Sequence, residues 1–301
     1  MYHNQRTLLK PAHCSGVGVH SGREVNLTIK PAPANHGVRF VRIDLPGRPD
    51  VPALFNMVVD TSLATVIGQE GAIVSTIEHM MAGLAGLSIE NAIVELDAYE
   101  MPIMDGSAGV FTEMIKRAGI KTLEMPRYYF IINEPIELEE DGKFVGIYPS
   151  STIKISCSIE YDHPLIQKQE YEVELTDESF ETEISRARTF GFIHEIEYLK
   201  RYGLARGATL ETGIAIDKDD IMNKEGLRYK DEFVRHKILD CIGDFSLLGI
   251  PILGHIVAHK SGHAFNQAFL KKFFSEKGAW ETRPINERHG AEPVKSKSLA
   301  I

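Results

Sequence analysis

The segment Arg235-His236-Lys237-Ile238-Leu239-Asp240-Cys241-Ile242-Gly243-Asp244 sets an imidazole and two carboxylates at four-residue intervals. The run around it, residues 229–248, carries Phe233, Ile238, Cys241, Phe245 and Leu248 at three- and four-residue steps. That spacing predicts a helix with an apolar stripe, and Gly249 and Pro251 supply its stop. Residues four apart lie one turn above each other, so His236 and Asp240 share a face and Asp244 extends the row. A histidine nitrogen and a carboxylate oxygen so placed can both reach one Zn²⁺ ion, at about 2 Å each. A solvated polar face with a helical His/Asp pair is the alternative, because HxxxD is a weak pattern.

Glu78-His79 is the second signal. Residues 75–87 have helical spacing in Ile77, Met80, Met81 and Leu84, and Ser75-x-x-Glu78 has the form of a capping box. Adjacent helical side chains point about 100° apart, so His79 can hold a metal while Glu78 reaches a water beside it. The alternatives are a capping role for Glu78 and a helix-face histidine satisfied by the core for His79. Taken together, His79, His236 and Asp240 form a three-ligand set with a fourth position open, the arrangement of catalytic zinc. Glu78 is then the adjacent general base. HExxH is absent, so the common metalloprotease pattern is excluded. His255, His259 and His263 also recur at four-residue steps, but Ile252 to Val257 is β-branched and glycine-interrupted, a strand rather than a helix. Gly16 to Gly22 misses the GxGxxG spacing and no helical pattern follows it, so it is read as a tight turn presenting His20.

The elements that must position these residues read as α+β. Short alternating strands fill residues 7–60, followed by the 75–87 helix, a strand over 89–96, a turn at 102–107 and a helix over 108–118, which Ser107 can cap. Residues 119–127 look like an interdomain link. Strands over 128–132, 135–139, 143–148, 153–159 and 169–175 then lead to the 229–248 helix, a strand over 252–258 and a helix over 264–274. Strand runs followed by helices, twice, predict two α+β domains of like topology, 1–124 and 125–278, sandwiched with the active site between them. No sequence-level repeat proves duplication. The segment 279–301 is polar with Pro, Gly and Lys and is expected to be a mobile tail.

Composition narrows the function classes. The chain has 301 residues, 43% hydrophobic and 25% charged, ordinary for a globular protein. A net charge of −9 argues against nucleic-acid binding, which needs a basic face. Cys14, Cys157 and Cys241 are odd in number and widely spaced, which points to a reducing compartment and small apolar roles. There is no signal-peptide core and no apolar run of the ~20 residues that span a bilayer. A cytoplasmic monomer without stable membrane insertion is expected.

Five ordered motifs carry a family resemblance. They are Ser75-x-x-Glu78-His79-x-x-Ala82-x-Leu84, Met104-Asp105-Gly106-Ser107-Ala108, Ala187-Arg188-Thr189-Phe190-Gly191-Phe192, Asp231-Glu232-Phe233-x-Arg235-His236-Lys237-x-Leu239-Asp240-x-Ile242-Gly243-Asp244, and Lys260-Ser261-Gly262-His263-x-x-Asn266. Over residues 5–275 the chain resembles the UDP-3-O-acyl-N-acetylglucosamine deacetylases, zinc amidases of lipid A biosynthesis. The resemblance implies two domains with the site between them and zinc-dependent hydrolysis of the substrate's N-acetyl group. It implies that His79, His236 and Asp240 hold the zinc, a site whose ligands Fe²⁺ would also tolerate. Glu78 matches the general base, His263 the cationic partner, Asp244 the carboxylate beside it and Thr189 the oxyanion donor. For the UDP-linked acylated amino sugar, Lys237 matches a lysine at the substrate end, Tyr161 an aromatic ring against uracil, and Lys260 a basic position near the diphosphate. The apolar stretch 190–205, including Phe190, matches an acyl-chain insert extending over about 190–217. Leu204 to Thr209 departs from the usual glycine- and serine-containing segment, which leaves acyl-chain length open. A non-catalytic zinc-stabilised module is the competing class; it requires a fourth protein ligand and unfolding on chelation.

Overall fold

The computed structural model describes residues 2–285. Each half is built on a five-stranded sheet. In the first, the strands lie in the order Ala12–Val17, Glu24–Pro31, Ala92–Leu96, Val38–Arg42 and Asp50–Pro52. In the second, the order is Ile136–Glu140, Lys143–Tyr148, His255–His259, Lys154–Tyr161 and Gln167–Glu174. Both sheets consist of two antiparallel hairpins with a late strand between them, and in each that strand runs antiparallel to one hairpin and parallel to the other. The α+β class and the like topology of the halves are therefore found as expected. The repeat lies in pairing order, not in residue identity, which is why no sequence repeat exposed it.

The helices are α1 (Glu78–Gly86), α2 (Gly109–Ala118), the single turn α3 (Asp177–Ser179), α4 (Ile193–Arg201), α5 (Glu232–Phe245) and α6 (His263–Ser275). In each half one helix precedes the late strand and one follows it: α1 and α2 in the first, α5 and α6 in the second. The two preceding helices, α1 and α5, pack on each other at the centre. Neither is a surface helix. On α1 nearly every side chain is buried, and on α5 every residue but Arg235 and Lys237. The row His236, Asp240, Asp244, which could have faced solvent, is thus turned inward. Close approach demands small residues: a Cβ on Gly243 would sit 2.2 Å from the Glu78 carbonyl oxygen, and one on Gly86 2.3 Å from the Phe180 ring. One apolar cluster, from Leu27 and Phe40 through Met80 and Leu239 to Ile147 and Phe269, runs through both halves.

Each half inserts extra structure between its second hairpin and its central helix. The first carries a small sheet of Val58–Asp60, Val66–Gln69 and Ala72–Val74. The second carries the parallel pair Phe190–Phe192 and Ile214–Ile216 with α4 between them, within the span expected for the insert.

Two expectations change. Residues 119–127 are no free link: Ile120–Pro126 is a strand paired antiparallel with Asn4–Leu8, so a boundary at 124 falls inside an element. The tail does not begin at 279 either. Trp280–Pro284 pairs with Tyr128–Ile132, and Trp280 stacks on Phe273 with ring centroids 5.2 Å apart. A single aromatic burying its face against the core outweighs the polar residues around it. Residues 286–301 of that expected tail lie outside the described residues.

Candidate active site

The N-terminus of α1 is uncapped by any side chain, and the expected box is not made. Thr76 adopts a φ of 62°, which swings Ser75 off the helix end. Glu78 is thereby released: its Oε2 accepts the Thr65 amide at 3.1 Å, inside the molecule. Beside it, His79 Nε2 lies 3.7 Å from Asp240 Oδ1, and His236 Nε2 lies 3.4 Å from the same oxygen. The three ligand atoms fall within 4.8 Å of one another and all three residues are buried. Two ligands at about 2.1 Å from a tetrahedral ion stand about 3.4 Å apart, so the set fits a divalent metal.

The surroundings orient each ligand. His236 Nδ1 is 3.0 Å from the Ala187 carbonyl oxygen, which accepts its proton and leaves Nε2 with a lone pair facing inward. Lys237 Nζ donates to Asp240 Oδ2 at 2.8 Å, leaving Oδ1 for the imidazoles. Burial, then the neighbouring His236, pushes His79 down to about 3. Burial also lowers His236, against the pull of Asp240. Both rings are thus neutral, as ligands must be. For Asp240, burial favours the acid form, but the Lys237 cation, with the charged His263 among the facing imidazoles, outweighs it and holds the carboxyl well below its usual range. Lys237 is raised in turn, its burial outweighed by Asp240.

Across from this cluster stands an acid–base pair. His263 opens α6, and its Nε2 is 3.9 Å from Glu78 Oε1. Its Nδ1 donates to Asp244 Oδ2 at 2.9 Å, an oxygen that also accepts from Asn266 Nδ2 at 2.8 Å. Burial alone would lower His263, but Asp244, then Glu78 and Asp240, raise it to about 10, so it is an imidazolium at neutral pH. Burial raises Glu78 to about 7, with His263 pulling the other way. A carboxylate that exchanges a proton near neutrality faces a cation that keeps its own.

Thr189 is fixed by its backbone, its amide donating to Gly106 at 2.7 Å and its carbonyl accepting from Ile214 at 2.8 Å. Behind it, Arg188 Nε donates to Glu232 Oε1 at 2.9 Å, and Arg188 is 2% and Glu232 0% exposed, a buried ion pair. This strut ties the first turn of α5 to the segment holding Ala187 and Thr189. Arg188 and Glu232 stood in the sequence motifs, but only their shared burial reveals the role.

A cavity of about 490 Å³ opens over the cluster. His79, Glu78, Thr189, Phe190, His236, Lys237, Asp240 and His263 all line it, so eight of the expected residues, drawn from both halves, meet there. Its far wall is apolar, with Ile196, Leu199, Ala205 and Ile214 from the second insert and Leu63 from the first. Tyr161 is not among the lining residues and stands edge-on to Phe190 with centroids 5.8 Å apart. Lys260 is placed differently from expectation. It lies just past the end of the His255–His259 strand, is ion-paired with Glu160 and is not among the lining residues. Lys143, which no sequence signal distinguished, lines the cavity instead. His20 lines it too, in a loop whose His20 and Ser21 amides donate to the buried Glu100 carboxylate at 2.7 Å each. His255 and His259 bond Ser156 and Ser158 on a strand, as expected, and among the described residues join no ligand set. A larger cleft, about 570 Å³, lies at the far end of α1 and α5 beside Met81 and Phe245, and holds none of the three ligands.

Comparisons with known proteins point to one family. Residues 5–275 match the profile of the family described as UDP-3-O-acyl N-acetylglycosamine deacetylase. The chain is similar to proteins named UDP-3-O-acyl-N-acetylglucosamine deacetylase from several bacteria. It is 49% identical to that of Myxococcus xanthus (strain DK1622), covering 95% of this chain and 91% of that one. The figures are 46%, 92% and 88% for Syntrophus aciditrophicus (strain SB). For Anaeromyxobacter dehalogenans (strain 2CP-C) they are 44%, 99% and 96%.

Proposed function

The chain belongs to the UDP-3-O-acyl N-acetylglycosamine deacetylase family, metal-dependent amidases of lipid A biosynthesis, and from that premise we propose how its own side chains perform the reaction. It hydrolyses the N-acetyl group of a UDP-3-O-acyl-N-acetylglucosamine, giving the free amine and acetate. The observation that carries the assignment of roles is the meeting of His79, His236 and Asp240 with Glu78 and His263 in one cavity.

His79, His236 and Asp240 hold Zn²⁺, with Fe²⁺ accepted by the same nitrogen and oxygen donors. When bound there, the ion supplies Lewis-acid polarisation of the acetamide carbonyl and makes a water more acidic. Glu78 takes the proton of the attacking water as the C–O bond forms. The Thr189 hydroxyl donates to the oxyanion, and the His263 imidazolium offsets its charge, both fixed before the reaction begins. His263 then gives its proton to the nitrogen as the C–N bond breaks, and Asp244 holds that ring in place throughout. Lys237 and Lys143 face the negative diphosphate, with Lys260 further out. Phe190 and Tyr161 form the aromatic side of the substrate site, and the apolar wall from the second insert takes the acyl chain.

The enzyme is placed in the cytoplasm as a monomer, a reading supported by three free cysteines and a net charge of −9. Among the described residues no helix is long and apolar enough to cross a membrane. The direct test incubates the purified protein with acylated UDP-N-acetylglucosamine and measures acetate with and without a chelator. Acetate release that a chelator abolishes while the protein stays folded is the expected result. Release unaffected by metal removal would sink the assignment of the ligands.

A further inference from the structure

Thr65 lies immediately before the first insert's second strand, Val66–Gln69, 2% exposed, and joins three parts of the site at once. Its amide donates to Glu78 Oε2 at 3.1 Å, and its hydroxyl donates to Asp244 Oδ1 at 2.6 Å. Its carbonyl accepts from the amide of Ile77, the residue before Glu78, at 3.3 Å. Asp244 uses its other oxygen for His263 and Asn266. The contacts therefore close a loop: Glu78 to Thr65, Thr65 to Asp244, Asp244 to His263, and His263 back across 3.9 Å to Glu78. Each link but the last is a hydrogen bond; the last is the gap across which a substrate is worked.

We propose that Thr65 is a positioning residue that sets the spacing between the base Glu78 and the cation His263, acting across the junction of the two halves. This rests on the roles assigned to those two residues above. The physical argument concerns Asp244 Oδ1, a buried carboxylate oxygen whose side-chain donor is the Thr65 hydroxyl. A buried acceptor deprived of its donor turns to find another. Asp244 has Asn266 and His263 within reach, so its rotation drags the imidazole. The amide bond to Glu78 does not depend on the side chain, so a change at Thr65 can move one member of the pair and leave the other. Reacting groups lose rate steeply with such displacement, on the order of 10²-fold for about 1 Å.

The test compares Thr65→Val, which keeps the volume and removes the donor, with Thr65→Ser, which keeps the donor, in the metal-loaded enzyme. Thr65→Val is expected to lower kcat roughly 10–100-fold with KM within about 3-fold, and Thr65→Ser to stay within about 3-fold in both. Metal content should match the parent in each variant. In proton NMR, the downfield His263 Nδ1–H signal should shift in Thr65→Val and stay in place in Thr65→Ser. A Thr65→Val enzyme with parental kcat overturns the proposal, as does an equal loss in both variants, which would make the loss independent of the hydroxyl donor. If Thr65→Val does not fold, Thr65→Cys replaces it as a weak donor beside Thr65→Ser, and equal kcat in those two overturns the proposal. Glu78→Gln run alongside separates the cases: if it stays active the assignment of the base has failed, whereas an inactive Glu78→Gln beside a normal Thr65→Val rejects Thr65 alone.

Discussion

The two halves of the molecule wind their chains alike and contribute unlike chemistry. Each lays down two hairpins, sends a buried helix to the centre, threads a late strand between the hairpins and closes with a second helix. In the first half that central helix is α1, which carries the proposed base and one proposed ligand at adjacent positions at its N-terminus, Glu78 and His79. In the second it is α5, which carries two proposed ligands one turn apart in its middle and Asp244 one turn further. The closing helices differ more. α6 begins with His263, aimed at Glu78, whereas α2 begins at Gly109, against Ser107 and Arg186. The inserts occupy the same place in the topology, yet the first delivers a clasp at Thr65 and the second an apolar wall and Thr189. Duplicated topology thus supplies the frame, and the site arises from what is not duplicated, at the surface where α1 and α5 meet.

The largest expected effect tests whether the first half contributes chemistry or only a ligand. Glu78→Gln should keep the bound metal and the fold while kcat falls about 10²–10⁴-fold, the usual range for a lost general base. Retained turnover would reduce the first half to scaffolding. The pH profile sharpens the same point, because its limbs belong to different halves. With Glu78 raised to about 7, kcat/KM should rise with pH as that carboxyl ionises. With His263 raised to about 10, it should fall as the imidazolium loses its proton. His263 also links to stability. Its raised value means that its protonated form supports the fold fully below about 6.5, the unfolded value. That support is lost as pH rises through about 10. In Glu78→Gln the acidic limb should vanish and the alkaline limb remain; a profile flat from pH 5 to 11 would contradict the division.

Next in size is the strut peculiar to the second half. Arg188→Ala leaves Glu232, 0% exposed, without its cation. Removing one partner of a buried pair costs about 3–5 kcal/mol, to be read as a lower urea midpoint, and turnover should fall as Ala187 and Thr189 loosen. An unchanged midpoint would mean that the segment is held by its backbone bonds alone. Smallest is the junction itself. Gly243→Ala puts a methyl group 2.2 Å from the Glu78 carbonyl oxygen. Overpacking of this kind costs about 1–3 kcal/mol, and because it moves α5 against α1 it should weaken metal affinity in the same step. A stable variant with undiminished affinity would show that the halves are not as tightly coupled as their packing implies.

Residue type and spacing were enough to single out His236 and Asp240 on one helix face and Glu78-His79 at the start of another, since an i, i+4 pair is a local fact of helix geometry. The α+β class was readable for a similar reason: period-two and period-3.6 patterns are written in the chain itself. Local patterns also misled. Ser75-x-x-Glu78 has the spelling of a capping box, but a left-handed Thr76 undoes it. Lys260 has the right charge but pairs with Glu160 away from the lining, and Lys143, from the neighbouring strand of the same sheet, lines the cavity. What only the tertiary structure decided is which side chains meet, because the contacts among His79, Asp240, Thr65 and Asp244 join positions more than 150 residues apart in the chain. The protonation states follow from that meeting. Glu78 and His263 carry ordinary side chains, and it is burial in one case and a facing carboxylate in the other that equips them for opposite tasks.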